Sequence, residues 1–266
     1  RPLRETARLL RERKQDYGRL MSDEMGKLLR DGVAESEKCA WVCEYYAEHA
    51  EAFLRREDVA TDASHSFVQY EPLGVVLAVM PWNYPFWQVF RFLAPALMAG
   101  NTGLLKHASN VPQCSLKIQE VFEKSGFPKD LFISLLIDSK ISLRLIEEDL
   151  VDAVSLTGST GAGSSVASAA GARIKKCVLE LGVSDPFIVL ADADIDAAST
   201  AAVQARIINT GQSCIAAKRF ILEQSIAEEF TKKVIEGFKT LKIGDPLDES
   251  VNIGPLAKAE IRGDLE

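Results

Sequence analysis

The stretch Gly74-Val-Val-Leu-Ala-Val-Met80 decides the fold. A short run without a single polar side chain is typical of a strand that is buried on both faces. The loop Pro81-Trp-Asn-Tyr-Pro85 follows it, and the apolar residues after that loop predict a helix over 85–99. A buried strand followed at once by a helix indicates the beginning of a parallel, helix-covered sheet.

The same alternation continues as far as Leu181. Further strands are predicted over 102–106, 131–137, 153–156 and 176–181, and helices over 112–125, 141–148 and 161–170. This pattern indicates an α/β fold with a Rossmann-like, mostly parallel sheet and helices on both faces. Ligands of such folds gather at the carboxyl ends of the strands.

Two regions flank this sheet. Residues 3–56 carry apolar side chains at helical spacing, with breaks predicted at Gly26 and Gly32, and a short strand is predicted over 67–70. Beyond Leu181, strands over 187–190 and 219–222 and helices over 196–209 and 226–239 predict a partial second α/β unit. We therefore expect one domain over 1–181 and part of another over 182–266.

The composition narrows the function classes. A net charge of −7 argues against nucleic acid, whose binding depends on basic patches, and no apolar run approaches the length of a membrane span. Five cysteines without framework spacing predict free thiols in a reducing compartment, hence the cytoplasm. Cys39 and Cys43 are interpreted as small buried hydrophobes, so no metal site is expected. The first residue is Arg, so we expect a truncated chain.

Two candidate functional residues follow the first two strands of the sheet. Asn83 lies in a loop fixed by two prolines, and its amide is a neutral donor suited to an oxyanion, although it also suits a helix cap. Lys106 ends an otherwise apolar strand, where it meets either a polar ligand or solvent.

Two further candidates follow later strands. The Gly-rich turn Thr157-Gly-Ser-Thr-Gly-Ala-Gly163 joins a strand to a helix and favours phosphate binding over a plain tight turn, although it matches neither G-x-G-x-x-G nor a P-loop. Glu180 lies at an apolar strand end, where desolvation would raise its pKa toward a value useful for a base. An ion pair with Lys175 or Lys176 is the alternative.

Cys214 follows the turn at Gly211. A free thiol there is either inert packing or a nucleophile, and a nucleophile needs an oxyanion donor and a base nearby. Because Asn83 and Glu180 also follow strand ends or adjoining turns, one α/β site can gather all three.

Taken together, these motifs resemble the NAD(P)-dependent aldehyde dehydrogenase superfamily, and succinate-semialdehyde dehydrogenases in particular. The matching segments occur in the order found in that family and cover nearly the whole chain; they are Pro81-Trp-Asn-Tyr-Pro85, Gly100-Asn-Thr102 with Lys106, Gly158-Ser-Thr-x-x-Gly163, Leu179-Glu-Leu-Gly182 and Gly211-Gln-Ser-Cys214. The combination is specific, whereas no single segment is.

The resemblance implies a role for each residue. Cys214 would attack an aldehyde to form a covalent thioester, Asn83 and the Cys214 backbone N–H would hold the oxyanion, and Glu180 would activate water. It also implies a dinucleotide-binding domain over 1–181, part of a catalytic domain over 182–266, and a homodimer or homotetramer. Residues implied to contact the cofactor are Trp82, Asn83, Lys106, His107, Ala108, Ser109, Gly158, Ser159 and Leu181.

Three positions bear on how closely the chain follows the family. NAD-preferring members often carry Glu where this chain has Ser109, so we predict that NADP is preferred and that NAD is the second choice. Val183 replaces a second glycine and is expected to disturb Leu181 or Glu180. The family continues well past residue 266, so we expect a fragment. A CoA-acylating enzyme and a non-catalytic relative are the alternatives.

Overall fold

The computed structural model describes residues 1–266 and begins with three helices and a small hairpin. These elements are α1 (Pro2–Glu12), α2 (Lys14–Met25), α3 (Leu29–Phe53), β1 (Glu57–Asp58) and β2 (Phe67–Val68). The break predicted at Gly26 is confirmed, since this residue ends α2 with a φ of 73°. The break at Gly32 is wrong. Gly32 lies inside α3, where a Cβ atom would come within 2.8 Å of the Gly18 Cα, so this glycine allows the two helices to approach closely.

A five-stranded sheet forms the centre of the chain. Its elements are β3 (Val75–Val79), α4 (Trp87–Met98), β4 (Thr102–Lys106), α5 (Pro112–Lys124), β5 (Phe132–Ser134), α6 (Ser139–Glu147), β6 (Ala153–Gly158), α7 (Thr160–Ala172) and β7 (Lys176–Leu181). Every pairing is parallel, in the order β5-β4-β3-β6-β7. This is a Rossmann-like arrangement, so the predicted fold class is confirmed, and the strand order reverses between β3 and β6.

Residues of β3 alternate between the two faces of the sheet. Ala78 packs into a large apolar cluster that includes residues of α1 to α5, whereas Leu77 packs with residues of α6 and α7 on the other face. Both faces of the central strand are therefore covered, which is why β3 has no polar side chain.

A separate pair of parallel strands follows. Its elements are β8 (Pro186–Val189), α8 (Ile195–Ile207), β9 (Arg219–Leu222), α9 (Ala227–Lys239) and α10 (Ala259–Leu265). Val189, Ala202, Ile226 and Phe230 form their own small apolar cluster. None of the helices combines the length and the apolar character that a membrane span requires.

The strand register brings the candidate residues to the side of the main sheet where the carboxyl ends of its strands lie. Glu180 pairs with Thr157, and Leu181 pairs with Gly158. Lys106 is the last residue of β4 and pairs with Val79, directly before the Pro81–Pro85 loop. All of these residues lie at carboxyl ends, on both sides of the point where the strand order reverses.

Candidate active site

Asn83 lies against the loop that carries Cys214. Its Nδ2 donates a hydrogen bond to the Gln212 carbonyl over 3.0 Å, and its Oδ1 accepts one from the Tyr84 N–H over 3.1 Å. In return, Asn209 Nδ2 donates to the Asn83 carbonyl over 2.8 Å. The two regions are far apart in sequence, and these three bonds fix the Asn83 amide beside the residues that precede Cys214.

The helix-cap interpretation of Asn83 is wrong, because Glu35 performs that role. The N–H groups of Phe86 and Trp87, at the start of α4, both donate to Glu35 Oε1 over 2.9 Å. A carboxylate is favoured at a helix N-terminus, and Lys27 neutralises this one within the buried interior. Sequence reasoning missed Glu35, although it precedes the buried Cys39 by one helical turn and so shares its face.

His107 supports the same loop from the end of β4. Its Nε2 lies 2.9 Å from the Pro85 carbonyl, and its Nδ1 lies 2.9 Å from the Ala108 N–H. Burial lowers the pKa of His107 to about 4, so the ring is neutral, donating through Nε2 and accepting through Nδ1. Because the imidazole is engaged in these bonds, any contact of His107 with a cofactor would come from its backbone.

Residues 209–217, here called the Cys214 loop, begin with unusual backbone. Asn209, Thr210 and Gly211 follow α8 with φ values of 54°, 58° and 72°. For Asn209 and Thr210 the left-handed conformation lowers the free energy of unfolding by about 1–2 kcal/mol each. Arg206 offsets this strain by donating to the Gly211 and Ala217 carbonyls. Such strain is typical of functional loops.

Cys214 itself is half-buried and lines a cavity of about 890 Å³, here called the Cys214 cavity. Its backbone N–H donates no hydrogen bond within the chain, so this donor is available two residues after the Gln212 carbonyl that Asn83 binds. Burial raises the pKa of the remaining four thiols, of which the first three are fully enclosed; they are Cys39, Cys43, Cys114 and Cys177. Cys39 and Cys43 are small buried hydrophobes, as interpreted from the sequence.

Half of the residues that line the Cys214 cavity are apolar, and the charged ones carry both signs, since Asp31 and Glu35 line it as well as three cations. The cations among its lining residues are Arg30, Lys38 and Arg91. Gln88 is 3% exposed, and its Oε1 accepts no hydrogen bond within the protein. A buried acceptor without a partner is costly, so it favours a ligand or water that donates to it.

The predicted environment of Glu180 is wrong. Its side chain is 60% exposed, because β7 is an edge strand whose alternate residues face solvent. The desolvation expected for this carboxylate is therefore absent. Its ionic partner is Arg91, whose Nη2 lies 3.6 Å from Glu180 Oε2. Lys175 instead donates to the carbonyls of Ile146 and Glu148.

The Gly-rich turn leaves donors free at the start of α7. Ser159 caps this helix by accepting from the Ala162 N–H over 3.3 Å, while the N–H groups of Thr160 and Gly161 donate no bond within the chain. Gly163 leaves room for Leu181, since a Cβ atom there would lie 2.5 Å from Leu181 Cδ2. Two unpartnered N–H groups at the N-terminus of a 13-residue helix suit a phosphate.

The remaining predicted cofactor residues lie close to the carboxyl ends of β3 and β4. Half-buried Lys106 has a pKa lowered by burial and, in the same direction, by Lys258. Ser109 is exposed, whereas Ala108 and Trp82 are half-buried against the main core. The expected disturbance at Val183 is absent, because the pairing of Leu181 with Gly158 is intact and the φ of Val183 is not positive.

Fold and site together define a Rossmann-type α/β protein with a cysteine and an amide donor near the reversal of its strand order. The model of the aldehyde dehydrogenase family matches residues 1–265, so the chain belongs to this family.

Individual relatives agree with that assignment. The chain is 57% identical over 263 residues to a probable succinate-semialdehyde dehydrogenase (NADP+) of Synechocystis sp., covering 99% of this chain and 58% of the relative. It is 51% identical to the succinate-semialdehyde dehydrogenase (NADP+) of Mycobacterium leprae, covering 98% of this chain and 58% of that protein.

A solved structure is similar as well. The succinic semialdehyde dehydrogenase of Streptococcus pyogenes, in complex with NADP+, superposes with a TM-score of 0.97 at 36% identity, covering 99% of this chain and 58% of that one. The chain thus spans somewhat under three fifths of the length of these relatives.

Proposed function

We propose that this chain forms the cofactor-binding and nucleophile-bearing part of an enzyme that oxidises succinate semialdehyde to succinate with NADP+. The observation that carries the proposal is the contact of the Asn83 amide with the Gln212 carbonyl, two residues before Cys214, together with a Cys214 N–H that donates no bond within the chain. The family assignment supports aldehydes as the substrate class.

The Cys214 thiolate would attack the aldehyde carbon and form a C–S bond. The oxygen then carries negative charge, and Asn83 Nδ2 and the Cys214 N–H stabilise that charge more strongly than they stabilise the neutral aldehyde. Loss of hydride from the same carbon converts the adduct into a thioester.

Hydrolysis of the thioester requires a base. Glu180 takes a proton from water as the water oxygen attacks the thioester carbon, the C–S bond breaks, and the acid leaves while the thiolate is restored. Because Glu180 is exposed and lies at the same sheet edge, it needs no buried proton path.

The residues present fit a dinucleotide. The free N–H groups of Thr160 and Gly161 suit its phosphates, Lys106 and the exposed Ser109 suit an adenosine ribose that carries a 2′-phosphate, and the room that Gly163 leaves lets Leu181 pack closely. When bound, an oxidised nicotinamide dinucleotide supplies the acceptor for the hydride. NADP+ is the proposed preference, and NAD+ the second choice.

Charge in the Cys214 cavity supports a substrate with a second carboxylate. Three cations line this cavity with Asp31 and Glu35, and because Glu35 is already paired with Lys27 the cations are in excess. An aldehyde that carries a distal acid would place one end at Cys214 and the other beside these cations. All five cysteines are unpaired, which supports a reducing compartment such as the cytoplasm. A homodimer or homotetramer stays a prediction.

Steady-state kinetics on the full-length protein test the proposal. Succinate semialdehyde and NADP+ should yield reduced cofactor, and Cys214→Ser should lower kcat about a thousandfold or more. Cys177→Ser is the matched control, because it removes a partly exposed thiol that does not line the cavity, and it should keep the wild-type rate.

Two outcomes would contradict the proposal. Activity retained in Cys214→Ser would exclude this thiol as the nucleophile. Turnover that depends on added CoA would instead support the acylating alternative, in which CoA rather than water resolves the thioester.

A further inference from the structure

Arg91 connects the Cys214 cavity to Glu180. It projects from α4, lines the cavity, and is 31% exposed. Its Nη2 donates to Thr157 Oγ1 over 3.1 Å and lies 3.6 Å from Glu180 Oε2. Thr157 and Glu180 are paired across β6 and β7, so the strand register itself creates the double contact.

The guanidinium retains donors for another ligand. Nη1 and Nε of Arg91 have no acceptor within the chain, although a guanidinium offers five N–H groups in a fixed fork. The other two cations of the cavity are placed differently: the Lys38 ammonium lies 3.9 Å from the centre of the Trp87 ring, and Arg30 binds the Glu249 carbonyl. Arg91 is thus the cavity cation that also contacts Glu180.

The ion pair between Arg91 and Glu180 is weak enough for another carboxylate to replace Glu180 beside the guanidinium. Both side chains are partly exposed, and an ion pair in such a setting contributes little. A second carboxylate with better geometry can therefore displace the first. A carboxylate oxygen that faces a guanidinium is also not free to accept a proton from a water molecule.

We infer that Arg91 is a positioning residue that exchanges one carboxylate for another. Without substrate it holds Glu180, and the distal carboxylate of a bound semialdehyde takes its place and releases Glu180 to activate the hydrolytic water. The inference rests on the proposed function and extends it: a substrate that carries the distal acid accelerates hydrolysis of its own thioester, beyond any gain in binding.

Single-turnover hydrolysis of the acyl-enzyme tests this exchange in the full-length protein. The succinyl thioester formed from succinate semialdehyde is compared with the butanoyl thioester formed from butanal, which has the same chain length but no acid. In the wild type the butanoyl thioester should hydrolyse more slowly. Arg91→Met should raise its rate about threefold or more, as expected when a base is freed from a weak ion pair.

A residue that only binds substrate would behave differently. Its loss would raise KM for succinate semialdehyde and leave butanoyl hydrolysis as it was. Lys38→Met is the matched comparison, since it removes a cation of the same cavity that does not touch Glu180, and it should weaken binding of the semialdehyde without a gain in butanoyl hydrolysis. Arg91→Lys should restore part of the slow wild-type butanoyl rate.

The possible failures can be told apart. The circular dichroism spectrum of Arg91→Met shows whether this variant is folded. If the folded variant hydrolyses the butanoyl thioester no faster than the wild type, the exchange is overturned and the proposed function is not affected. Absence of any acyl-enzyme with either aldehyde in the wild type overturns the proposed function, and this inference with it.

Discussion

His107 should make the stability of this protein fall steeply in mild acid. Its pKa is 6.5 in an ordinary environment and about 4 in the folded protein, because burial disfavours the charged ring. The unfolded chain therefore binds a proton at a pH where the folded chain does not. The stabilisation is complete above pH 6.5, and it is lost as the pH falls toward 4.

The size of the effect follows from the two values. Their difference of about 2.5 pH units, at about 1.4 kcal/mol per unit, corresponds to about 3–4 kcal/mol in the free energy of unfolding. The structural reason is direct: a protonated ring would turn its Nδ1 from an acceptor into a donor facing the Ala108 N–H.

Urea unfolding of the wild type and of His107→Gln measures this difference. The glutamine can still donate to the Pro85 carbonyl and accept from Ala108, but it does not titrate. The carboxylates titrate in both proteins, so their contribution cancels when the two free energies of unfolding are subtracted. The advantage of the wild type over His107→Gln in the free energy of unfolding should therefore fall by about 3 kcal/mol between pH 6.5 and 4. Parallel curves would refute the reasoning, as would an NMR titration of His107 with a midpoint near 6.5.

Three further predictions concern the cofactor turn, cofactor choice and the oxyanion. Gly163→Ala should lower the free energy of unfolding by about 1–3 kcal/mol, because the new Cβ would press on Leu181. In Gly161→Ala the new Cβ meets nothing within 4 Å, so this variant should be more stable by up to about 1 kcal/mol. Equal melting temperatures of the two variants would contradict this. Ser109→Glu should shift the ratio of kcat/KM from NADP+ toward NAD+ about tenfold or more, and an unchanged ratio would remove Ser109 from cofactor choice. Asn83→Ala should lower kcat about 10²–10³-fold in steady-state assays, and a loss confined to KM would speak against an oxyanion role.

The fold was largely predictable because apolar runs encode it locally. The bounds of β4, β7 and β9 are those that the sequence predicts. The predicted strand over 131–137 is longer than β5, which ends at Ser134. Leu131–Ile137 is apolar enough to continue, but β5 is an edge strand whose single neighbour, β4, ends at Lys106.

The errors in the site come from information that no single segment contains. Whether Glu180 is buried depends on β7 being an edge strand, and strand order is set by the whole sheet. In the sequence Arg91 is a single cation within an apolar helix, and such a cation needs an acceptor when the helix packs against a sheet, but the sequence does not show that the acceptor is Glu180. The contact between Asn83 and Gln212 joins residues 129 positions apart. The sequence predicts only that both segments lie near the carboxyl ends of strands, not that these two residues form a hydrogen bond.

The measurement that tests the central claim most directly is the mass of the full-length enzyme, quenched with acid during turnover of succinate semialdehyde and NADP+. We predict a succinyl group that maps to Cys214 and accumulates further in Glu180→Gln, because the step after thioester formation is slowed. A protein that turns over without any adduct, or one whose adduct maps to another cysteine, would contradict the assignment of Cys214 as the nucleophile.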